Sequence, residues 1–179
     1  MSIYYVRHGE TDYNKAYLIQ GSIDAPLNEV GIEQAHQIAL KLKDIKFDAI
    51  YCSPLHRARQ TAEAINAFHG LPIYIAKELH EQRYGELEGK SRKEEAYLRQ
   101  RPRLAARYPK GESYLDVAAR VFPFLDSLKG QAKKSNVLLV AHGGISRIVN
   151  AYFEPNMENE EFITYLLANC EAKKYDYPD

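Results

Sequence analysis

What this chain has little of is cysteine, and what it lacks altogether is a net charge. Cys52 and Cys170 are its only two cysteines, too few for a disulfide framework and not spaced as a zinc-ligand pair. Lys+Arg and Asp+Glu both number 24, so the formal charge is zero. Nothing global therefore argues for a nucleic acid or an anionic membrane as partner. No apolar stretch approaches the ~20 residues of a transmembrane helix. The N-terminus lacks the basic region and apolar core of a secretory signal. No internal repeat, linker or low-complexity segment is visible. The expectation is a cytoplasmic protein forming a single domain over 1–179, with no nucleic-acid or membrane partner. Composition fixes no oligomeric state.

What is there alternates between strand-like and helix-like segments. Ile3-Tyr4-Tyr5-Val6 reads as a buried strand, Phe47–Tyr51 as a second and Ile73–Ile75 as a third. Val137–Val140 is an unbroken apolar run, expected at the centre of a parallel sheet. Glu171–Tyr175 reads as an edge strand. Asn28 is a candidate cap for a helix reaching Lys43, with Ile32, Ala35, Ile38, Ala39 and Leu42 on its apolar face. A second helix is expected from Ser53-Pro54 to Phe68, with the proline in its first turn, and another from Ile145. The pattern predicts a three-layer α/β/α sandwich with a mostly parallel sheet.

Phosphate-binding residue types recur at the strand exits. Arg7 and His8 follow the first strand, Arg57 the second, and His142-Gly143-Gly144 the Val137 strand. In a parallel sheet all three exits share one edge, where ligands bind. Arginine offers a fixed fork of donors for phosphate, histidine a nucleophile or base near neutral pH, and a helix N-terminus free N–H groups. The segment His80–Gly89 is too rich in charge and glycine to be core, and Glu81 is its candidate site carboxylate. Gly85–Ser91 imitates a P-loop. Its first glycine is one residue too close, and Glu86 and Glu88 would repel a phosphate.

These residues resemble the histidine phosphatase superfamily, the phosphoglycerate mutase-like enzymes. The likeness runs through Arg7-His8-Gly9-Glu10-Thr11 with Asn14, Gln20-Gly21, Ser53 to Ala62, Glu81 with Tyr84-Gly85 and Glu88-Gly89, Gly111-Glu112-Ser113, and Ala141 to Gly144. It implies a mixed sheet with a central first strand and a phosphohistidine at His8. Arg7, Arg57 and His142 would surround the phosphoryl group, His142 as a cation, with Glu81 as proton donor. Asn14, Gln20, Gly21, Tyr84 and Gly143 would line the substrate pocket. No metal or other cofactor is implied, since arginines take the place of the ion.

The reading that follows is a phosphomonoesterase acting on small phosphorylated metabolites. Three alternatives stay open: a cofactor-primed phosphoglycerate mutase, a non-catalytic binder of phosphorylated ligands, and a metallohydrolase using His8, His142 and Glu81. The family's mutases carry a longer insertion between acid and second histidine, and here 142 − 81 = 61 positions separate them. Arg7 beside His8 disfavours a divalent cation.

A basic helical cap is expected at about 90–110. Lys90, Arg92, Lys93, Arg99, Arg101, Arg103, Arg107 and Lys110 face only Glu94 and Glu95 there, so 8 − 2 leaves +6. Two roles are open for it: a lid for a strongly anionic substrate, or a solvated face. The six tyrosines from Tyr74 to Tyr152 are expected to be half-buried packing, with Tyr84 the exception.

Overall fold

The computed structural model describes residues 2–129 and 136–177. In chain order the elements are β1 (Ser2–Arg7), α1 (Asp12–Lys15), α2 (Glu29–Leu42), β2 (Ala49–Cys52), α3 (His56–Asn66), β3 (Ile73–Ile75), α4 (Glu95–Gln100), α5 (Tyr114–Leu128), β4 (Asn136–Ala141), α6 (Gly143–Phe153), α7 (Asn159–Thr164) and β5 (Ala172–Asp176). Two 3₁₀ turns, Lys77–Leu79 and Gly85–Leu87, lie between β3 and α4.

The five strands run in the order β3-β2-β4-β1-β5. All neighbours are parallel except β5, which lies antiparallel along β1. The apolar run of β4 holds the middle, as its composition predicts, and β1 is the inner strand beside it. Period-2 alternation sends Val137, Leu139 and Ala141 to one face and Leu138 and Val140 to the other. On the first face they meet Val117, Val121 and Leu125 of α5 and Ile145, Ile148 and Val149 of α6. On the second they meet Ile38, Ala39 and Leu42 of α2 and Ala58, Ala62 and Ile65 of α3. Helices thus cover both faces of a mostly parallel sheet, the α/β/α layering expected from the sequence.

Three local expectations need correction. The Asn28 side chain does cap α2, accepting from the Gly31 N–H at 2.8 Å. However, Ile32 is 43% exposed and Gly31 takes the inward place. The turn after β1 crosses α2 there so closely that a Cβ on Gly31 would sit 2.1 Å from the Glu10 carbonyl oxygen. Next, α3 starts at His56, with Leu55 in the cap position, so Pro54 precedes the helix. The Asp24 carboxylate accepts from the His56 N–H at 2.7 Å and takes the place of a local cap. Finally, within the basic segment 90–110 only Glu95–Gln100 is helical. Pro102 and the turns around it end the helix early. Among the described residues no helix is long and apolar enough to cross a membrane.

Candidate active site

Parallel pairing brings the strand exits together. Arg7 is in register with Ala141, and Cys52 with Val140. The ladder continues one residue further: the His8 N–H donates to the Ala141 carbonyl at 2.9 Å and the Ser53 N–H to Val140 at 3.0 Å. His8, Ser53 and His142 therefore emerge side by side. The imidazole centroids of His8 and His142 are 5.1 Å apart.

His8 is fixed at both ring nitrogens. Its Nδ1 lies 2.7 Å from its neighbour's carbonyl, Gly9 O. A carbonyl can only accept, so Nδ1 carries the proton. Its Nε2 accepts from Arg57 Nε–H at 3.3 Å, so the lone pair is there. Arg57 is held in turn by the carbonyls of Ile23 at 2.8 Å and Gly21 at 2.9 Å. Gly21 has φ +53°, and a Cβ there would stand 2.3 Å from Glu88 Oε1. Only glycine lets that carbonyl turn toward the guanidinium. Arg7 Nη1 donates to the Leu167 carbonyl at 2.7 Å, while its buried Nε has no partner.

Glu81 arrives from the loop after β3. Its carboxylate accepts from the N–H of Gln82 at 2.8 Å and of Gly144 at 3.1 Å. The head of α6 thus spends one of its free N–H groups on Glu81. His142 Nε2 and Ser53 Oγ are 2.6 Å apart, and Nδ1 has no partner. Tyr5 clasps the His142 backbone, donating to its carbonyl at 2.6 Å and accepting from its N–H at 2.9 Å.

A cleft of about 180 Å³ opens over these groups. Arg7, His8, Asn14, Gln20, Gly21, Arg57, Glu81, Tyr84 and Gly143, all anticipated from the sequence, line it. His142 stands behind His8, fully buried. Asn14 Oδ1 accepts from the Thr11 N–H and from Asn169, and Gln20 accepts from the Thr11 hydroxyl at 2.9 Å. Tyr84 packs edge-on against Tyr97 and Tyr108. Tyr108 and Tyr114 are buried outright and Tyr74 is half exposed, so the tyrosines are less uniform than expected. Among the described residues no three His, Cys, Asp or Glu side chains gather as metal ligands.

The model of the histidine phosphatase superfamily, branch 1, matches residues 3–179. The chain belongs to that superfamily. Among its relatives, a probable phosphatase of Schizosaccharomyces pombe is 34% identical over 97% of this chain and 81% of its own length. A probable phosphoglycerate mutase, GpmB of Yersinia pestis, is 33% identical over 100% of this chain and 86% of its own. Among solved structures, the mycobacterial glucosyl-3-phosphoglycerate phosphatase in complex with VO3 superposes with a TM-score of 0.88 at 28% identity, covering 97% of this chain and 91% of that one.

Electrostatics in this superfamily member follow from burial and from two arginines. Burial first, then Arg57 and Arg7, push the pKa of His8 well below its usual value. Burial and Arg57 do the same to His142. Both imidazoles are therefore neutral at pH 7 among the protein's own groups; the cationic His142 expected from the sequence is one beside a bound phosphate. Charging His142 among those groups alone would cost desolvation and repulsion with no counter-charge beside it. Burial lowers Arg7 and Arg57 only to about 10, so both remain charged.

The sequence reading missed Arg147, Ser53 as the partner of His142, and Tyr5. Arg147 carried a usable signal, a lone cation among the apolar residues of α6. Arg92 and Arg101 belong to the basic segment for which a lid and a solvated face were both open, and both line the cleft. Arg99 instead faces solvent and pairs with Glu95.

Proposed function

We propose that this protein is a phosphomonoesterase for small phosphorylated metabolites, working through a phosphohistidine on His8. The observation that carries the reading is the tautomer of His8. Two independent neighbours, an acceptor at Nδ1 and a donor at Nε2, leave the lone pair on Nε2, at the floor of an arginine-lined cleft. A low proton affinity keeps that lone pair free.

In the first step His8 Nε2 attacks phosphorus and the ester P–O bond breaks. Arg57 and Arg7 hold the equatorial oxygens, where charge is spread in transfer. Protonated Glu81 gives its proton to the departing alkoxide. In the second step water attacks the phosphohistidine, Glu81 takes a proton from it, and the N–P bond breaks. Inorganic phosphate leaves and His8 returns to its neutral tautomer. His142, held by Ser53 and Tyr5 behind His8, supports the phosphoryl site from within, and the negative charge of a bound phosphoryl group raises its proton affinity.

The test is direct trapping. After quenching, the wild type should carry acid-labile, base-stable phosphate, and His8→Ala should carry none and turn over nothing. Substantial turnover by His8→Ala would overturn the covalent route. Interconversion of 2- and 3-phosphoglycerate that depends on a bisphosphorylated primer would point to a mutase. Loss of activity to a chelator, restored by a divalent ion, would point to a metallohydrolase.

A further inference from the structure

The cleft holds more positive charge than one phosphoryl group can use. Five arginines line it, Arg7, Arg57, Arg92, Arg101 and Arg147, against one carboxylate, Glu81. Among the described residues outside the cleft, Arg83, Arg99, Arg107 and Arg120 each pair with an acid and Arg59 and Arg103 do not, while none of the five inside does. With Glu81 ionised the lining carries 5 − 1 = +4. A dianionic phosphoryl group on Arg7 and Arg57 leaves about two charges unmatched.

The surplus comes from three different elements, and of its members Arg92 acts on Arg7 and His8 while Arg101 and Arg147 stand beside Tyr114. Arg92 is set by the pairing of 89–92 with 17–19, and its Nε donates to the Leu18 carbonyl at 3.1 Å. Arg101 follows α4, and its Nη2 donates to the Ile163 carbonyl at 2.8 Å. Arg147 is the most constrained, 5% exposed on α6. Its guanidinium lies 5.4 Å from the Tyr114 ring and 5.9 Å from Phe162. These aromatic faces hold the fork without neutralising it. The Nε atoms of Arg101 and Arg147 are both buried without a partner. A buried, unpaired cation is costly to keep, and an apolar residue would suit the surroundings of α6 better.

We infer that Arg147, with Arg101 and Arg92, binds a second anionic group on the substrate, a carboxylate or a second phosphate, beyond the phosphoryl group that is transferred. The inference rests on the phosphatase reading above and narrows its substrate to esters with two anionic ends. Arg147 and Arg101 are then specificity-determining residues, one on the rigid body of the fold and one on the basic segment.

A matched three-carbon series tests this: n-propyl phosphate, 3-(phosphonooxy)propanoate and propane-1,3-diyl bisphosphate. The wild type should prefer one or both doubly anionic esters by about ten- to a hundredfold in kcat/KM, the value of a charge-assisted contact, mainly through KM. The two esters separate a carboxylate site from a phosphate site. Arg147→Gln should cut that preference by about tenfold or more. Arg101→Gln, on a different element, should cut it as well and covers the case in which Arg147→Gln does not fold. Equal losses on all three esters would make these arginines structural and overturn the inference. So would turnover of all three without preference, which leaves the phosphatase reading intact. Failure to hydrolyse any ester would overturn that reading and this one with it.

Discussion

Replacing Gly144 by alanine probes the seat of Glu81 without touching the carboxylate. The new Cβ would stand 2.5 Å from Glu81 Oε1 and 3.3 Å from Tyr84 Oη, and ordinary contact begins at 3.4 Å. The carboxylate must therefore retreat by about 0.9 Å and loosen its bond from the Gly144 N–H. Gly144 lies in the first turn of α6 with no positive φ, so alanine gains roughly 0.5–1 kcal/mol of helix preference. Losing one hydrogen bond to a charged group costs about 1.5–3 kcal/mol. The balance is a loss of roughly 1–2 kcal/mol, or a few degrees in Tm for a chain of this size. Catalysis should suffer far more, because a misplacement near 1 Å costs about 100-fold. The loss should fall on alkyl phosphates, whose alkoxide needs a proton, and much less on histidine phosphorylation by nitrophenyl phosphate. Thermal melts together with rapid-quench kinetics on both esters measure this. An alkyl-ester kcat/KM within threefold of wild type, or equal loss of phosphorylation rate on both esters, would refute the placement of Glu81 as the acid.

Glu81→Gln should slow phosphorylation by alkyl phosphates about 10²–10⁴-fold. With nitrophenyl phosphate it should give a burst of nitrophenol and accumulate phosphohistidine, because Gln cannot activate water; rapid-quench traces lacking a burst would count against it. Stability should fall as pH drops from 7 to 5. The unfolded chain protonates His8 and His142 near 6.5 while the folded chain resists, so the unfolded state binds more protons, at up to about 1.4 kcal/mol per pH unit for each histidine. Urea midpoints across this range should show the slope, and His142→Gln should flatten it. Arg99→Gln, at a residue exposed and paired with Glu95, should change kcat/KM less than twofold for every ester in the three-carbon series; a larger change would return the whole basic segment to the site.

The floor of the cleft was legible in the sequence, and the arginines that wall it, Arg92, Arg101 and Arg147, were not singled out there. Arg7-His8 and His142-Gly143 each follow directly on an apolar run, so strand end and chemical group are written in adjacent letters. A parallel sheet then forces such ends together. Arg57 was legible for the same reason, at the start of the helix after β2. Arg92 faces the cleft because Ile19 donates to the Lys90 carbonyl and Arg92 to Tyr17, a contact between two loops that no periodicity announces. Eight cations in the basic segment look alike in sequence, and the fold alone separates Arg92 and Arg101 from Arg99. Ile32 was misassigned because helical spacing specifies a stripe, not which of its borders a crossing loop will cover. The burial of His142 was not legible for a similar reason: how deeply an imidazole is buried depends on the packing of the whole chain.

The placement of β1 also bears on how the protein is made. The strand carrying Arg7 pairs with β4, residues 136–141, and β5, residues 172–176, and with no strand in between. During synthesis β1 emerges before the other described elements and waits for β4 and β5 before either edge is satisfied. Contacts this distant in sequence fold slowly, and an unpaired apolar edge is exposed to wrong partners meanwhile. Cys170 closes the arrangement, its N–H donating to the Arg7 carbonyl at 3.0 Å. A ribosome-bound chain stalled before β5 should therefore hold His8 without an ordered pocket, and the strand made before the other four would be among the last to become useful.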